Sequence, residues 1–216
     1  MWHLVLVRHG ESELNATNRT TRTYCGQFET PLTAVGREQA LAAGERVKSL
    51  SYLNLEAAVS SPLQRAKETL ALLLRRLTLA VEVLPPLDGL AERSHGAFEG
   101  LTEEQAFRDY PHYRDDPAYC DFMDHFEKCA PGGETLATVT ERAWSAVQQL
   151  QTAATGDLIL ISHFNPIRCI VGRALGLSTA ETLHLHVPNA APIVLGWNGS
   201  FKLLDSPDLR RPEFPT

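Results

Sequence analysis

The stretch that most constrains this chain is Leu4-Val5-Leu6-Val7, four apolar residues that end at once on Arg8, His9 and Gly10. An apolar run without polar alternation reads as a strand buried on both faces of a parallel sheet. The signature recurs at Asp157-Leu158-Ile159-Leu160-Ile161-Ser162, which ends on His163. Open parallel sheets bind ligands outside the carboxyl ends of their strands. Two buried strands that each deliver an imidazole to that edge therefore predict a shared site. A lone Arg-His pair would be an ordinary solvated turn, and it is the recurrence that argues for chemistry. Gly10 is expected to let the backbone turn sharply and approach a ligand.

The rest of the chain alternates strands and helices. Ser12 to Thr30 reads as a long polar loop, a type that is usually functional or disordered. Thr33 caps a helix to about Leu50, and Ala57 to Ser60 is a short strand. Ser61 and Pro62 are expected as N-cap and first residue of a helix reaching about Leu77. Arg65 then falls in the first turn, where the helix dipole opposes a cation, so Arg65 and that helix terminus are expected to receive an anion together. Val81 to Leu84 is a further strand. The capping-box pattern Thr102-Glu103-Glu104-Gln105 opens an acidic, aromatic segment to Cys129, read as a lid or side wall whose aromatic residues pack together. A long helix follows Leu136, another runs from Pro166 to Gly176, and Leu183–Val187 and Pro192–Trp197 read as edge strands. His184 and His186 would share one strand face, and a packed or solvated pair is preferred to metal ligands there. The pattern predicts an α/β three-layer sandwich, a mostly parallel central sheet with helices on both faces. A single domain is expected over residues 1–204, with the lid at about 102–130 and a frayed tail at 205–216. An exposed edge strand near the C-terminus permits a homodimer.

Composition narrows the partners. A net charge of −6 argues against nonspecific nucleic-acid binding, which needs a basic surface. No apolar run approaches the roughly 20 residues that span a bilayer, and no leader pattern opens the sequence, so a cytoplasmic protein without membrane contact is expected. Cys25, Cys120, Cys129 and Cys169 lack Cys-x-x-Cys spacing and fit free thiols in a reducing compartment, with a Cys120–Cys129 disulfide left open.

Arg8, His9, Arg65 and His163 all lie at strand ends on one edge of the sheet. Two guanidinium forks, two imidazoles and helix N-termini suit a tetrahedral dianion, namely phosphate. An imidazole at the centre of such a pocket is a nucleophile if neutral, and the flanking Arg8 and Arg65 should keep His9 so. The same cations stabilise charge on the phosphoryl oxygens during in-line transfer, and His163 can donate to one of them. The leaving oxygen needs a proton. Glu92 is the candidate donor, because burial beside a phosphate dianion raises a carboxyl pKa, with Glu11 and Glu99 as rivals.

These residues sit in ordered motifs. Arg8-His9-Gly10-Glu11-Ser12 with Asn15, then Pro31-Leu32-Thr33-x-x-Gly36-x-x-Gln39-Ala40, resembles the phosphoglycerate-mutase-like branch of the histidine phosphatase superfamily. Ser60-Ser61-Pro62-Leu63-x-Arg65-Ala66, Leu90-Ala91-Glu92-Arg93-x-x-Gly96-x-x-Glu99-Gly100 and Ser162-His163 are similar to its later motifs. The resemblance runs from about residue 4 to 197. It implies a phosphohistidine on His9, phosphate held by Arg8, Arg65 and His163, and Glu92 as proton donor. It also implies a small phosphorylated metabolite in contact with Ser12, Asn15, Cys25, Gly26, Phe164 and Asn165, and neither metal nor cofactor.

Three departures stand out. Phe164 follows His163 where the family usually has glycine, the loop between Asn15 and Gly26 is longer and adds Arg19 and Arg22, and Glu29 replaces the common aspartate. Mutases of this branch carry basic residues between the Glu92 motif and the last histidine. Here that segment is acidic and is expected to repel a second anionic group, which favours water as phosphoryl acceptor. A phosphatase of a small phosphomonoester is therefore expected, for instance a sugar phosphate or a nucleoside-like phosphate such as α-ribazole phosphate. The alternatives are a cofactor-dependent phosphoglycerate mutase and a phospho-ligand-binding protein without catalysis.

Overall fold

The computed structural model describes residues 1–77, 80–206 and 209. In chain order the elements are β1 (Trp2–Arg8), α1 (Glu13–Thr17), α2 (Ala34–Lys48), β2 (Leu55–Ser60), α3 (Gln64–Leu74), β3 (Glu82–Val83), α4 (Glu103–Asp109) and α5 (His112–Asp115). They continue with α6 (Leu136–Ala153), β4 (Asp157–Ser162), α7 (Phe164–Leu175), α8 (Thr179–Leu183), β5 (Pro192–Trp197) and β6 (Phe201–Asp205). One six-stranded sheet runs β3-β2-β4-β1-β5-β6. The pairs β3–β2, β2–β4 and β4–β1 are parallel, whereas β1–β5 and β5–β6 are antiparallel.

Strand alternation sorts the core into two layers. Leu4 and Leu6 face α6 and α7 with Val147, Ile167 and Ile170, while Val5 and Val7 face α2 and α3 with Val47, Ala66 and Leu70. Both faces of β1 and β4 are therefore covered, which is why these strands are continuously apolar rather than alternating. The expected sandwich is the observed one. At the far edge from the strand carboxyl ends, Asp157 accepts the His3 N–H and the Asn54 N–H and sits 2.8 Å from His3 Nδ1.

Several local expectations are corrected. Helix α3 starts at Gln64 rather than Pro62, and its N-cap is Leu63, which supplies no capping side chain. Glu29 Oε2 instead accepts the Gln64 N–H at 2.9 Å, so a carboxylate from the loop occupies the helix start that was expected to receive a ligand anion. Residues 183–187 form no strand. Ser178 and Glu181 make a capping box that opens α8, and His184 closes it with Nδ1 2.7 Å from the Ala180 carbonyl. Strand β5 is not an edge, because β6 pairs along it. Asp205 thus belongs to β6 and not to a tail, while residues 207, 208 and 210–216 of the expected tail lie outside the described residues. The cysteines are all free, including Cys120 and Cys129.

Gly10 meets a packing demand at the turn after β1. A Cβ on Gly10 would lie 2.2 Å from the Gly36 carbonyl oxygen, and one on Gly36 would lie 2.0 Å from the Glu11 carbonyl oxygen. The turn after β1 packs backbone to backbone against the first turn of α2, fastened by the Thr33 N–H to Glu11 carbonyl bond of 2.9 Å. Gly36→Ala is therefore expected to cost about 1–3 kcal/mol of stability by overpacking. The neighbouring exposed Val35→Ala should lie within about 0.5 kcal/mol of the parent. Urea unfolding of the two variants checks this.

Candidate active site

The register of β1 on β4 assembles the site. Arg8 pairs with Ser162, and the His9 N–H continues the ladder to the Ser162 carbonyl at 3.0 Å. The next residue on each strand is an imidazole, and the rings of His9 and His163 lie with centroids 5.0 Å apart. On the other side of β4, the Ser61 N–H reaches the Ile161 carbonyl at 2.9 Å, which brings the β2–α3 junction to the same edge.

His9 is buried, and its Nδ1 lies 2.7 Å from the Gly10 carbonyl oxygen. Arg65 Nε–H donates to His9 Nε2 at 3.3 Å. A carbonyl on one side and a guanidinium donor on the other admit a single neutral tautomer, with the proton on Nδ1 and the lone pair on Nε2. Burial, then the Arg65 and Arg8 charges, hold the His9 pKa well below the ordinary histidine value, against the opposing pull of the Gly10 carbonyl. The same three influences, with His9 itself, lower His163 in the same direction.

The cations are positioned by main-chain carbonyls. Arg65 gives Nη1 to the Phe28 carbonyl at 2.9 Å and Nη2 to the Gly26 carbonyl at 2.8 Å, so the long loop grips the guanidinium from its outer side. Gly26 needs its positive φ of 46° for this, and a Cβ there would meet the Glu99 carboxylate at 2.7 Å. Arg8 donates Nη1 to the Val187 carbonyl at 2.9 Å, and burial lowers its pKa. Its guanidinium lies 5.3 Å from the Phe164 ring centroid, and that of Arg168 lies 4.9 Å from the same ring. Phe164 thus packs against two cations, each contact worth about 0.5–2 kcal/mol.

These groups open onto a cavity of about 250 Å³. Arg8, His9, Arg65, Glu92, Phe164 and Asn165 are among the residues that line it. Glu92 Oε1 accepts the Arg93 N–H at 2.7 Å and the Asn165 N–H at 3.3 Å, the latter from the first turn of α7. Its rivals are engaged elsewhere. Glu11 is bound by Arg19 and Thr33, and Glu99 accepts from Ser94 Oγ and the His95 N–H. Asn15, Cys25 and Gly26 also line the cavity. Ser12 does not. It is the N-cap of α1, with Oγ accepting the Asn15 N–H. His163 is fully buried beside the cavity rather than on its wall, with Nε2 2.7 Å from Ser61 Oγ. That contact also explains why Ser61 is not a helix cap.

From residues 102–129 of the acidic segment, Met123 lines the cavity and Glu103 pairs with the cavity-lining Arg22 at 2.9 Å. The segment has its own apolar cluster of Tyr24, Phe98, Ala106, Tyr113 and Phe122. Arg93 ties it to the Glu92 loop, donating to the carbonyls of Phe122, Met123, Lys128 and Glu134.

Two supports were not identified from sequence. Arg142 on α6 donates to the carbonyls of Gly89, Ala91 and Glu92 and fixes the loop that carries the carboxylate. The turn after α8 clamps β1 from the other side. Asn189 Nδ2 donates to the His9 carbonyl at 2.8 Å, and the Ala190 N–H reaches the Arg8 carbonyl at 2.9 Å. Ala190 adopts φ 52°, a left-handed conformation costly for a residue with a Cβ. The one available signal was the Pro188-Asn189-Ala190-Ala191-Pro192 turn composition.

The family model "Histidine phosphatase superfamily (branch 1)" matches residues 4–207. A mycobacterial glucosyl-3-phosphoglycerate phosphatase, solved in complex with VO3, is 29% identical with a TM-score of 0.75, covering 95% of this chain and 98% of its own. A structure described as mycobacterial hydrolase 1 is 27% identical with a TM-score of 0.76, covering 97% and 99%. An α-ribazole phosphatase from Shigella flexneri, 23% identical over 94% and 96% with a TM-score of 0.74, shares the fold. Since the family match takes in both strand-end histidines and nearly the whole sequence between and around them, this chain belongs to the histidine phosphatase superfamily.

Proposed function

We propose that the protein is a phosphatase that hydrolyses a small phosphomonoester through a phosphohistidine on His9. The observation that carries this reading is the state of His9: a neutral ring anchored through Nδ1, with its Nε2 lone pair 3.3 Å from Arg65 Nε. The identity to a mycobacterial phosphatase supports the reaction class. The nucleophile is in its reactive protonation state before substrate arrives.

In the first step Nε2 of His9 forms a bond to phosphorus, and the bond from phosphorus to the alcohol oxygen breaks. Protonated Glu92 gives its proton to that oxygen, so an alcohol leaves rather than an alkoxide. Arg8 and Arg65 hold phosphoryl oxygens and stabilise their charge, the Arg65 Nε–H turning from His9 Nε2 to the phosphoryl group as Nε2 attacks. His163, whose buried Nδ1 has no protein partner, is the third donor and has to reach the phosphoryl group from behind the cavity wall. In the second step Glu92, now a carboxylate, takes a proton from water as the water oxygen attacks phosphorus. The bond from phosphorus to Nε2 breaks, inorganic phosphate leaves, and neutral His9 and protonated Glu92 are restored. Residues 1–204 act in this reading as one domain, with about 102–130 as its side wall. The free thiols suit a reducing compartment, which we take to be the cytoplasm.

Hydrolysis of p-nitrophenyl phosphate tests the reading, and His9→Ala should lower it by about a thousandfold or more. Glu92→Gln should cost about 10²- to 10⁴-fold on an alkyl phosphate and markedly less on p-nitrophenyl phosphate, whose leaving group needs no proton. Equal losses on both esters would remove Glu92 as the acid.

The pH dependence follows from the direction of the His9 shift. With its pKa depressed, His9 stays neutral as pH falls through 6.5 and is lost only at more acidic values. The acid limb of kcat/KM, corrected for the substrate's own second ionisation, should therefore lie below pH 6.5. A limb at or above that value would contradict the assignment.

A further inference from the structure

Ser61 and His163 are both fully buried, and Ser61 Oγ lies 2.7 Å from His163 Nε2. That distance alone does not tell which atom owns the proton between them, but the other contacts of the two side chains do. Ser61 Oγ accepts the Leu63 N–H at 3.2 Å, and among the described residues its own proton has no acceptor other than His163 Nε2. The second ring nitrogen, His163 Nδ1, is buried with no hydrogen-bond partner among the described residues.

Burial and the charges of Arg65, His9 and Arg8 hold the His163 pKa well below the ordinary histidine value, so the ring is neutral. A neutral imidazole carries one proton, which leaves two arrangements. With the proton on Nε2, that nitrogen donates to Ser61 Oγ, and both the Ser61 O–H and the Nδ1 lone pair are buried without a partner. With the proton on Nδ1, the Ser61 O–H donates to the Nε2 lone pair and only the Nδ1–H is left over. Unmet buried polar groups are costly, and the second arrangement has fewer of them. The start of α7 does not ask for an acceptor at Nδ1 either. An N-cap side chain accepts from the second or third helical N–H. Here the Asn165 N–H goes to Glu92 Oε1, Pro166 has no N–H, and His163 makes no side-chain cap.

We infer that Ser61 is a positioning residue that fixes the tautomer of His163, donating its O–H to Nε2 so that Nδ1–H is the free donor for a phosphoryl oxygen. The purpose of that donor rests on the reading of His9 as the phosphoryl acceptor. The His9 and His163 rings lie with centroids 5.0 Å apart, so a phosphoryl group on His9 stands beside the ring that carries the donor. A guanidinium donates whatever surrounds it, whereas a neutral imidazole donates from one nitrogen only. Without the hydroxyl the ring is free to turn a lone pair toward the phosphoryl oxygens, which repels them. Ser61 lies between β2 and α3, so the segment that delivers Arg65 to the site also sets the state of His163.

Nitrogen-15 NMR of the imidazole rings, in protein labelled at histidine, reads the tautomer without turnover. Near neutral pH the His163 ring, assigned by its loss in His163→Ala, should be protonated on Nδ1 and bare on Nε2. Ser61→Ala should shift it toward the Nε2-protonated form, and Ser61→Thr, which keeps the hydroxyl, should retain the parent form. Ser61→Ala should also lower kcat/KM for p-nitrophenyl phosphate by about ten- to a hundredfold, the worth of one hydrogen bond to a charged group. Because that variant also deprives the Leu63 N–H of its acceptor, the loss is measured again in His163→Ala. A residue that acts through His163 costs little in that background, whereas a merely structural one costs as much in both. A parent ring protonated on Nε2, or equal losses in the two backgrounds, would overturn the inference. The parent spectrum needs no variant and decides the matter even if Ser61→Ala does not fold. Absent hydrolysis by the parent protein, with the Nδ1–H tautomer present and the affinity for inorganic phosphate weakened by Ser61→Ala, would overturn the phosphatase reading and leave this inference standing.

Discussion

Everything in the site depends on the parallel pairing of β1 with β4. Because Arg8 is in register with Ser162, the residues that follow them are neighbours, and both are histidines. A shift of one residue would turn the apolar side chains of β1 onto the opposite faces of the sheet. Core packing therefore fixes the separation of the two imidazoles. The hydrophobic layers around Leu4, Leu6, Val5 and Val7 act as the ruler for the chemistry at the strand end.

Around that fixed edge, main-chain carbonyls orient the charged groups. Arg65 is held by the carbonyls of residues 26 and 28, Arg8 by that of residue 187, and the Glu92 loop by Arg142. Neutral acceptors position a guanidinium without cancelling its charge. The positive potential stays directed at His9, where with burial it keeps the ring unprotonated. Glu29 makes the complementary contribution, satisfying the start of α3 so that the helix tolerates Arg65 in its first turn.

The sequence was legible where burial is two-sided and where chemistry-bearing residues stand at strand ends. The runs at Leu4 and Leu158 could hardly be anything but central strands, and the convergence of Arg8, His9, Arg65 and His163 followed from their position alone. Strand β6 was missed because its residues alternate between half-buried and exposed and lie beyond the long apolar runs. Leu183–Val187 imitates a strand by alternation, yet the capping box at Ser178 had already committed its first residue to a helix. Ser61 meets His163 instead of capping α3, and the reason is general. Whether a hydroxyl caps a helix, meets a histidine or touches a ligand depends on partners distant in sequence. Asn189 and Arg142 were invisible for the same reason, since what they do is reach carbonyls 180 and about 50 residues away.

The central claim is that a neutral His9 accepts the phosphoryl group covalently. Rapid mixing with a 32P-labelled phosphomonoester, followed by alkaline quench and peptide mapping, tests it most directly. The account predicts acid-labile, alkali-stable label on the peptide that contains His9, formed and lost at rates matching turnover. Turnover that proceeds with no label on His9, or with label on another residue, would contradict it.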